Sequence, residues 1–451
     1  MTARLNGVSS EIEIINPKGG VIMQEVVIAG GARTPIGAFG GSLKEVPLVS
    51  LGAEVIRTTL NRCRLRPVTS EAVLGSGPDR IRTDTMIELE KKYHDYDESF
   101  QPVQIDQVLL GNVLSTGQGQ NVTRQTMIMA GVPKEASATT VNKLCASGME
   151  AVALGAQAIM CGAADVVLAG GMESMSRVPY ALAGARWGQR MGHGELTDLL
   201  LYDGLLEYFY DYHMGMTAEN IARRYEISRR EQDELGVLSH QRARAAMAAG
   251  LFDDEIVPIM VPQRKGDPVV FSTDERPMDT SIEKMAKLRP AFTKDGTVTA
   301  GNASGINDAA AVVLLMSAAK AKELGLAPPV KISGFSSAGL DPAYMGLGPI
   351  PAVRKLLSAQ HMDIADFGAI ELNEAFAVQA LACIRELGCD MEKTNMVGSG
   401  ISLGHPIGCT GARILVSLMY QMQRQELEHG LATLCIGGGQ GMAMALKRVG
   451  A

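Results

Sequence analysis

At 451 residues the chain is long enough for two or three domains with well-buried cores. Its hydrophobic fraction of 46% and charged fraction of 20% are those of an ordinary globular protein, and a net charge of -7 excludes a general nucleic-acid surface. That balance leaves room for a local patch that meets the phosphates of a small molecule. Aromatics are scarce at 4% while glycine reaches 50, so close backbone packing and many tight turns are expected.

No apolar run attains the ~18 residues of a membrane helix. Ala151–Leu168 comes nearest, and Gln157 and Asp165 interrupt it. The seven cysteines follow neither a metal-site nor a secreted disulfide spacing, which points to a reducing, cytoplasmic compartment.

In chain order, residues 1–24 lack the basic start and apolar core of a signal peptide and form an extension, with Met23 an alternative start. Glu25–Ala29 is the first strand, and Gln107–Leu110 another. Met149–Cys161 is apolar on nearly every face, as a helix buried between layers would be. Asp165–Ala169 is a buried strand expected to end at Gly170-Gly171. Residues 175–306 differ, with polar helices such as Arg229–Ala249 and a mixed-charge stretch, Gln263–Arg289. That stretch is either a solvated surface or a rim for ligand phosphates, with Arg276 and Lys284 among its cations. Further on, Ala369–Leu372 is strand-like, Gly411–Met422 helical, and Ala432–Ile436 a strand whose hairpin partner is Met442–Leu446. Strands alternating with helices define an α/β protein. Cys145 and His405 each precede a helix followed by a strand and a glycine-rich turn, the plan of a duplicated fold with a site where its halves meet.

Three residues sit in turns suited to chemistry. Cys145, in Asn142-Lys143-Leu144-Cys145-Ala146-Ser147-Gly148, lies just ahead of a helix, where unpaired N–H groups are expected to lower a thiol pKa. His405 stands between Gly404 and Pro406, outside any regular element. Cys435 ends a strand facing Gly437-Gly438-Gly439, whose N–H groups can meet an oxyanion. A nucleophile and two proton-transfer groups suit acyl transfer through a thioester, and carbon–carbon chemistry beside a carbonyl. Asn373, in Asn373-Glu374-Ala375-Phe376, is placed either to hold a water and orient His405 or to cap a helix. Cys63, Cys161, Cys383, Cys389 and Cys409 are read as structural. His94, His193, His240, His361 and His429 are read as surface residues.

With Gly170-Gly171-Met172-Glu173-Ser174-Met175-Ser176 and Gly301-Asn302-Ala303-Ser304-Gly305, these motifs resemble the thiolases, in their biosynthetic short-chain branch, over nearly all of residues 25–451. The resemblance implies a duplicated thiolase fold in five α-β-α-β-α layers. Its first half would occupy 25–174 and 307–328, with a coenzyme-A-binding loop domain at 175–306, and its second half 329–451. It implies an acyltransferase that reversibly condenses two acetyl-CoA into acetoacetyl-CoA and coenzyme A, as in fatty acid metabolism, with no cofactor and no metal. Cys145 would carry the acyl group, His405 take its proton, and Cys435 move the α-proton. Asn373 would hold an oxyanion water, and the N–H groups of Cys145 and Gly437 would hold the acyl oxyanion. His213, Met214, Ser304 and Met345 would line the acyl and pantetheine site. Such enzymes are homotetramers or dimers that bind neither nucleic acid nor membranes. A stretch around Leu74–Phe100, within an excursion at about 70–102, is extra to the family pattern. Phe209 stands where some relatives place a potassium-binding tyrosine, so potassium does not carry over. The alternatives are a degradative 3-ketoacyl-CoA thiolase acting on longer chains, and a non-catalytic acyl-CoA-binding relative. Substrate length separates the first, and loss of Cys145, His405 or Asn373 would mark the second.

Overall fold

The computed structural model describes residues 23–78, 80–81 and 86–450; most of the proposed N-terminal extension lies outside them. Nine strands carry the architecture: β1 (Val26–Arg33), β2 (Gln107–Gly111), β3 (Ser137–Val141), β4 (Val166–Ser174), β5 (Asn307–Ser317), β6 (Val330–Gly339), β7 (Ala369–Leu372), β8 (His429–Ile436) and β9 (Gln440–Arg448). They are hydrogen-bonded in the order β7-β8-β9-β6-β1-β5-β4-β2-β3. The principal helices are α1 (Leu48–Arg62), α2 (Val122–Met129), α3 (Ser147–Met160), α4 (Met214–Tyr225), α5 (Arg229–Ala248), α6 (Pro349–Gln360), α7 (Ala377–Leu387) and α8 (Ile407–Arg424).

The order reads as one plan used twice. β1-β5-β4-β2-β3 and β6-β9-β8-β7 each begin with antiparallel neighbours and end in a parallel set, and a bridge from Ile370 to Thr394 supplies the second half's outer position. Side-chain alternation along the strands sorts the core into layers. Ala309, Ala311, Val313 and Leu315 of β5 face α3 and α8 in a central layer, while Ala310, Val312, Leu314 and Met316 face α1 and α2 outside. In the second half Met442, Met444 and Leu446 of β9 point to the centre, and Ala443 and Ala445 to α6 and α7. The result is five layers, α-β-α-β-α, with α3 and α8 packed on each other in the middle.

Several boundaries move. α8 starts at Ile407, directly after Pro406, so His405 sits at a helix entrance rather than in a separate loop. β4 continues through Gly170 and Gly171 to Ser174, because both keep their pairing with β5. Those glycines are there for approach, not termination: a Cβ on Gly171 would run into the carbonyl oxygen of Gly408 at the start of α8. Gly171→Ala is therefore expected to destabilise the fold by about 3 kcal/mol. A denaturant midpoint indistinguishable from that of the parent would show that the layer can move apart freely.

Between β4 and β5 the chain forms α4, α5 and several two- and three-residue strand pairs. Arg33 of β1 anchors this segment from the core, donating from Nε to Glu255 (2.6 Å) and from Nη1 and Nη2 to Asp274 (2.8 and 3.0 Å) with all three side chains buried. Leaving either acid without its partner would strand a buried charge. The excursion near 70–102 carries short helices at Glu71–Gly75 and Glu88–Tyr93, and Gln101–Gln104 pairs in parallel with Leu65–Val68.

Candidate active site

The duplication brings equivalent ends together. The entrances of α3 and α8 and the carboxyl ends of β7 and β8 meet at one side of the central layer, the usual place for a ligand in α/β folds. Leu144 takes a left-handed φ of 48° and turns the chain so that Cys145 leads into α3. Ser147 fixes that turn: its Oγ accepts from Lys143 N (2.8 Å) and donates to the Leu144 carbonyl (2.6 Å). The backbone N–H groups of Gly437 and of Cys145 itself act to lower the Cys145 thiol pKa. Burial nevertheless pushes this thiol up to about 11, against the lowering that the helix entrance alone suggests. Desolvation wins, and the resting group is a thiol that needs a base.

His405 is held by its backbone. Its N–H donates to Asn307 Oδ1 (3.1 Å), and a Cβ at residue 404 would strike that same amide, so Gly404, at φ 114°, leaves room for it. Burial, with the Arg413 cation second, lowers the imidazole to about 3, so it is neutral across the physiological range. Cys435, fully buried at the end of β8, has its thiol pKa raised well above the usual value, first by desolvation and then by Cys145.

Cys145, His405, Cys435 and Gly437 line a single cavity of about 270 Å³. His213, Met214, Ser304 and Met345 line it too, with Phe292 and Phe376 adding apolar wall. His213 caps α4, its Nδ1 accepting from Gly215 N (3.0 Å), and its ring stacks on Phe292 at 4.7 Å. Ser304 is set by a cross-half contact in which its N–H donates to the Ala375 carbonyl (2.9 Å). Asn373 is fully buried behind the wall, 3.4 Å from His405 Nδ1 through its Nδ2. It caps no helix, since α7 begins only at Ala377.

Two expected residues lie elsewhere. Arg276 gives its guanidinium to carbonyls, donating to Ile401 (2.6 Å) and Ala303 (2.9 Å), and so braces the wall from behind instead of facing a ligand. Lys284 stands exposed, with its ammonium on the Asp279 carbonyl (3.1 Å). Neither lines the cavity. His240, read from sequence as a surface residue, is a correction: it is fully buried on α5, its Nδ1 accepting from Met278 N (3.3 Å). Of the other cysteines, Cys383, Cys389 and Cys409 are buried and Cys161 is exposed.

Residues missed by sequence reasoning support the site from outside. Glu173, fully buried at the end of β4, accepts from Asn112 Nδ2 (2.6 Å), Val113 N (3.0 Å), Leu114 N (3.1 Å) and Gly408 N (2.9 Å). It ties the first half to the start of α8, and burial raises its pKa to about 7. Its place inside a glycine-rich motif was the available signal. Phe292 had none. Among the described residues, no group of three or more His, Cys, Asp or Glu side chains is gathered as a metal ion would require.

A duplicated five-layered α/β fold with two thiols and a neutral imidazole on one apolar cavity defines a class of acyl-transfer protein. Residues 95–319 match the thiolase N-terminal domain and residues 326–448 the thiolase C-terminal domain. The chain belongs to the thiolase family. It is 50% identical over 427 residues to an acetyl-CoA acetyltransferase of Pseudomonas aeruginosa, and 47% identical over 427 residues to one of Cupriavidus necator. Each alignment covers 94% of this chain and all of the relative. The crystal structure of the Bacillus anthracis acetyl-CoA acetyltransferase superposes with a TM-score of 0.84 at 44% identity, covering 95% of this chain and 100% of that one.

Proposed function

We propose that this thiolase is an acetyl-CoA C-acetyltransferase that condenses two acetyl-CoA reversibly to acetoacetyl-CoA and coenzyme A through an acetyl-Cys145 intermediate. The observation that carries the reading is the meeting of Cys145, His405, Cys435 and the Gly437 N–H on one cavity. The relatives' names support the choice of substrate.

The chemistry balances on these groups. The Cys145 thiol gives its proton to His405, and the sulfur attacks the thioester carbonyl of acetyl-CoA. The tetrahedral oxyanion sits on the N–H groups of Cys145 and Gly437, donors that cost no reorganisation as charge develops. Coenzyme A departs with the proton of Cys435, leaving Cys435 as thiolate. A thiol whose pKa burial raises so far becomes a strong base once ionised, able to take the α-proton of a second acetyl-CoA. The enolate oxygen is held by protonated His405 and by a water on Asn373. Its carbon attacks the acetyl group, and Cys145 leaves, recovering its proton from His405.

The loop segment 175–306 supplies His213, Met214 and Ser304, the wall along which the pantetheine arm would run. Exposed apolar side chains there, among them Trp187, Met191 and Tyr208, suit burial between subunits of a homotetramer. Seven free cysteines suit a reducing cytoplasm.

Met214 and Met345 line the cavity, and two large apolar side chains there leave less room for a long acyl tail, which favours short chains. In coenzyme-A-dependent cleavage, kcat/KM for acetoacetyl-CoA is expected to exceed that for 3-ketopalmitoyl-CoA by roughly 100-fold or more. Comparable values would assign the chain to degradative thiolysis of longer substrates.

A further inference from the structure

We propose that Thr410, on the first turn of α8, is a positioning residue that decides which nitrogen of His405 carries the proton, and so leaves Nε2 free to act as the base.

The two ring nitrogens have unlike surroundings. Nδ1 lies 2.7 Å from Thr410 Oγ1. Nε2 is buried with no hydrogen-bond partner among the described residues, in a ring that lines the cavity. A neutral imidazole has one proton to place. On Nε2 it would be a buried orphan donor, at a cost of about 1–3 kcal/mol. On Nδ1 it meets the threonine oxygen at short range. Thr410 can accept it because its own hydroxyl hydrogen goes to the Pro406 carbonyl at 2.9 Å, the back-bond to residue i−4 that helical threonines make. Asn373 is compatible with this: its Oδ1 has no partner, and turning the carboxamide over offers that oxygen to the same Nδ1–H.

The consequence is directional. The S–H bond of Cys145 breaks toward the Nε2 lone pair, an N–H bond forms there, and the imidazolium keeps its second N–H on Thr410. Thr410 is fully buried and does not line the cavity, so it acts only through His405.

The idea rests on His405 being the base in the function proposed above, and its first test is independent of activity. In protein labelled with 15N-histidine, long-range proton–nitrogen correlation near pH 7.5 should show His405 protonated at Nδ1 and bare at Nε2. The resonance is assigned by its loss in His405→Asn. The opposite tautomer overturns the proposal, whatever the enzyme does. Kinetically, Thr410→Val keeps the branching and removes the acceptor. Single-turnover acetylation of Cys145 should fall about 10- to 100-fold with KM for acetyl-CoA within about 2-fold, and Thr410→Ser should restore it to within about 3-fold. A full rate in Thr410→Val, or a serine variant as slow as the valine, also overturns it. If Thr410→Val does not fold, the tautomer measured in the unaltered protein decides alone. Absence of any acetyl-enzyme in the unaltered protein would instead count against the proposed function and leave the tautomer result standing.

Discussion

Cys145→Ser is expected to abolish the covalent intermediate and lower thiolysis of acetoacetyl-CoA by about 10³-fold or more. The thiol is already disfavoured as an anion by burial, and a hydroxyl is a far weaker acid, so His405 could not ionise it within a catalytic cycle. The oxygen is also smaller and would sit farther from the acyl carbon than sulfur does. Intact-mass measurement after brief exposure to acetyl-CoA should show one added acetyl group in the parent and none in the variant. The N–H groups of Cys145 and Gly437 remain in Cys145→Ser, so binding of acetyl-CoA should persist. Acetylation continuing at another cysteine in the variant would move the nucleophile elsewhere, and Cys435, on the same cavity, would be the first place to look.

The layers and the cavity-facing trio were largely legible because they rest on local signals. A helix apolar all round had to lie between layers, and a cysteine or histidine beside a glycine turn stands where a regular element begins or ends. What stayed hidden depends on contacts between distant segments. Gly170 and Gly171 look like a strand end in isolation, and only the approach of Gly408 explains why the strand runs through them. Arg276 looks like a phosphate ligand in a mixed-charge stretch, yet the bare carbonyls of Ile401 and Ala303 claim it. The sign of the Cys145 shift was hidden for the same reason: a helix entrance is visible in sequence, but the desolvation that outweighs it comes from the folded surroundings. His240 sits in a polar run and is still buried, since the inner face of α5 is set by what packs on it.

Cys435→Ser should divide the reaction in two, slowing formation of acetoacetyl-CoA by about 10³-fold or more while acetylation of Cys145 falls by only about 10-fold. In the proposed mechanism the two steps ask different things of this side chain. In acylation it hands a proton to departing coenzyme A, whose thiolate is a good leaving group and can draw a proton from protonated His405 instead. In condensation it must remove a proton from carbon, which demands a base stronger than any other group on the cavity wall. His405, whose pKa burial lowers to about 3, is a weak base, and Cys145 is occupied by the acetyl group. The burial that raises the Cys435 thiol pKa is therefore what equips it for the second step, and serine at that position would stay protonated throughout. Rapid-quench measurement of acetyl-enzyme alongside steady-state acetoacetyl-CoA formation separates the two rates. Equal losses in both would remove Cys435 from proton transfer at carbon and leave it a packing residue at the end of β8.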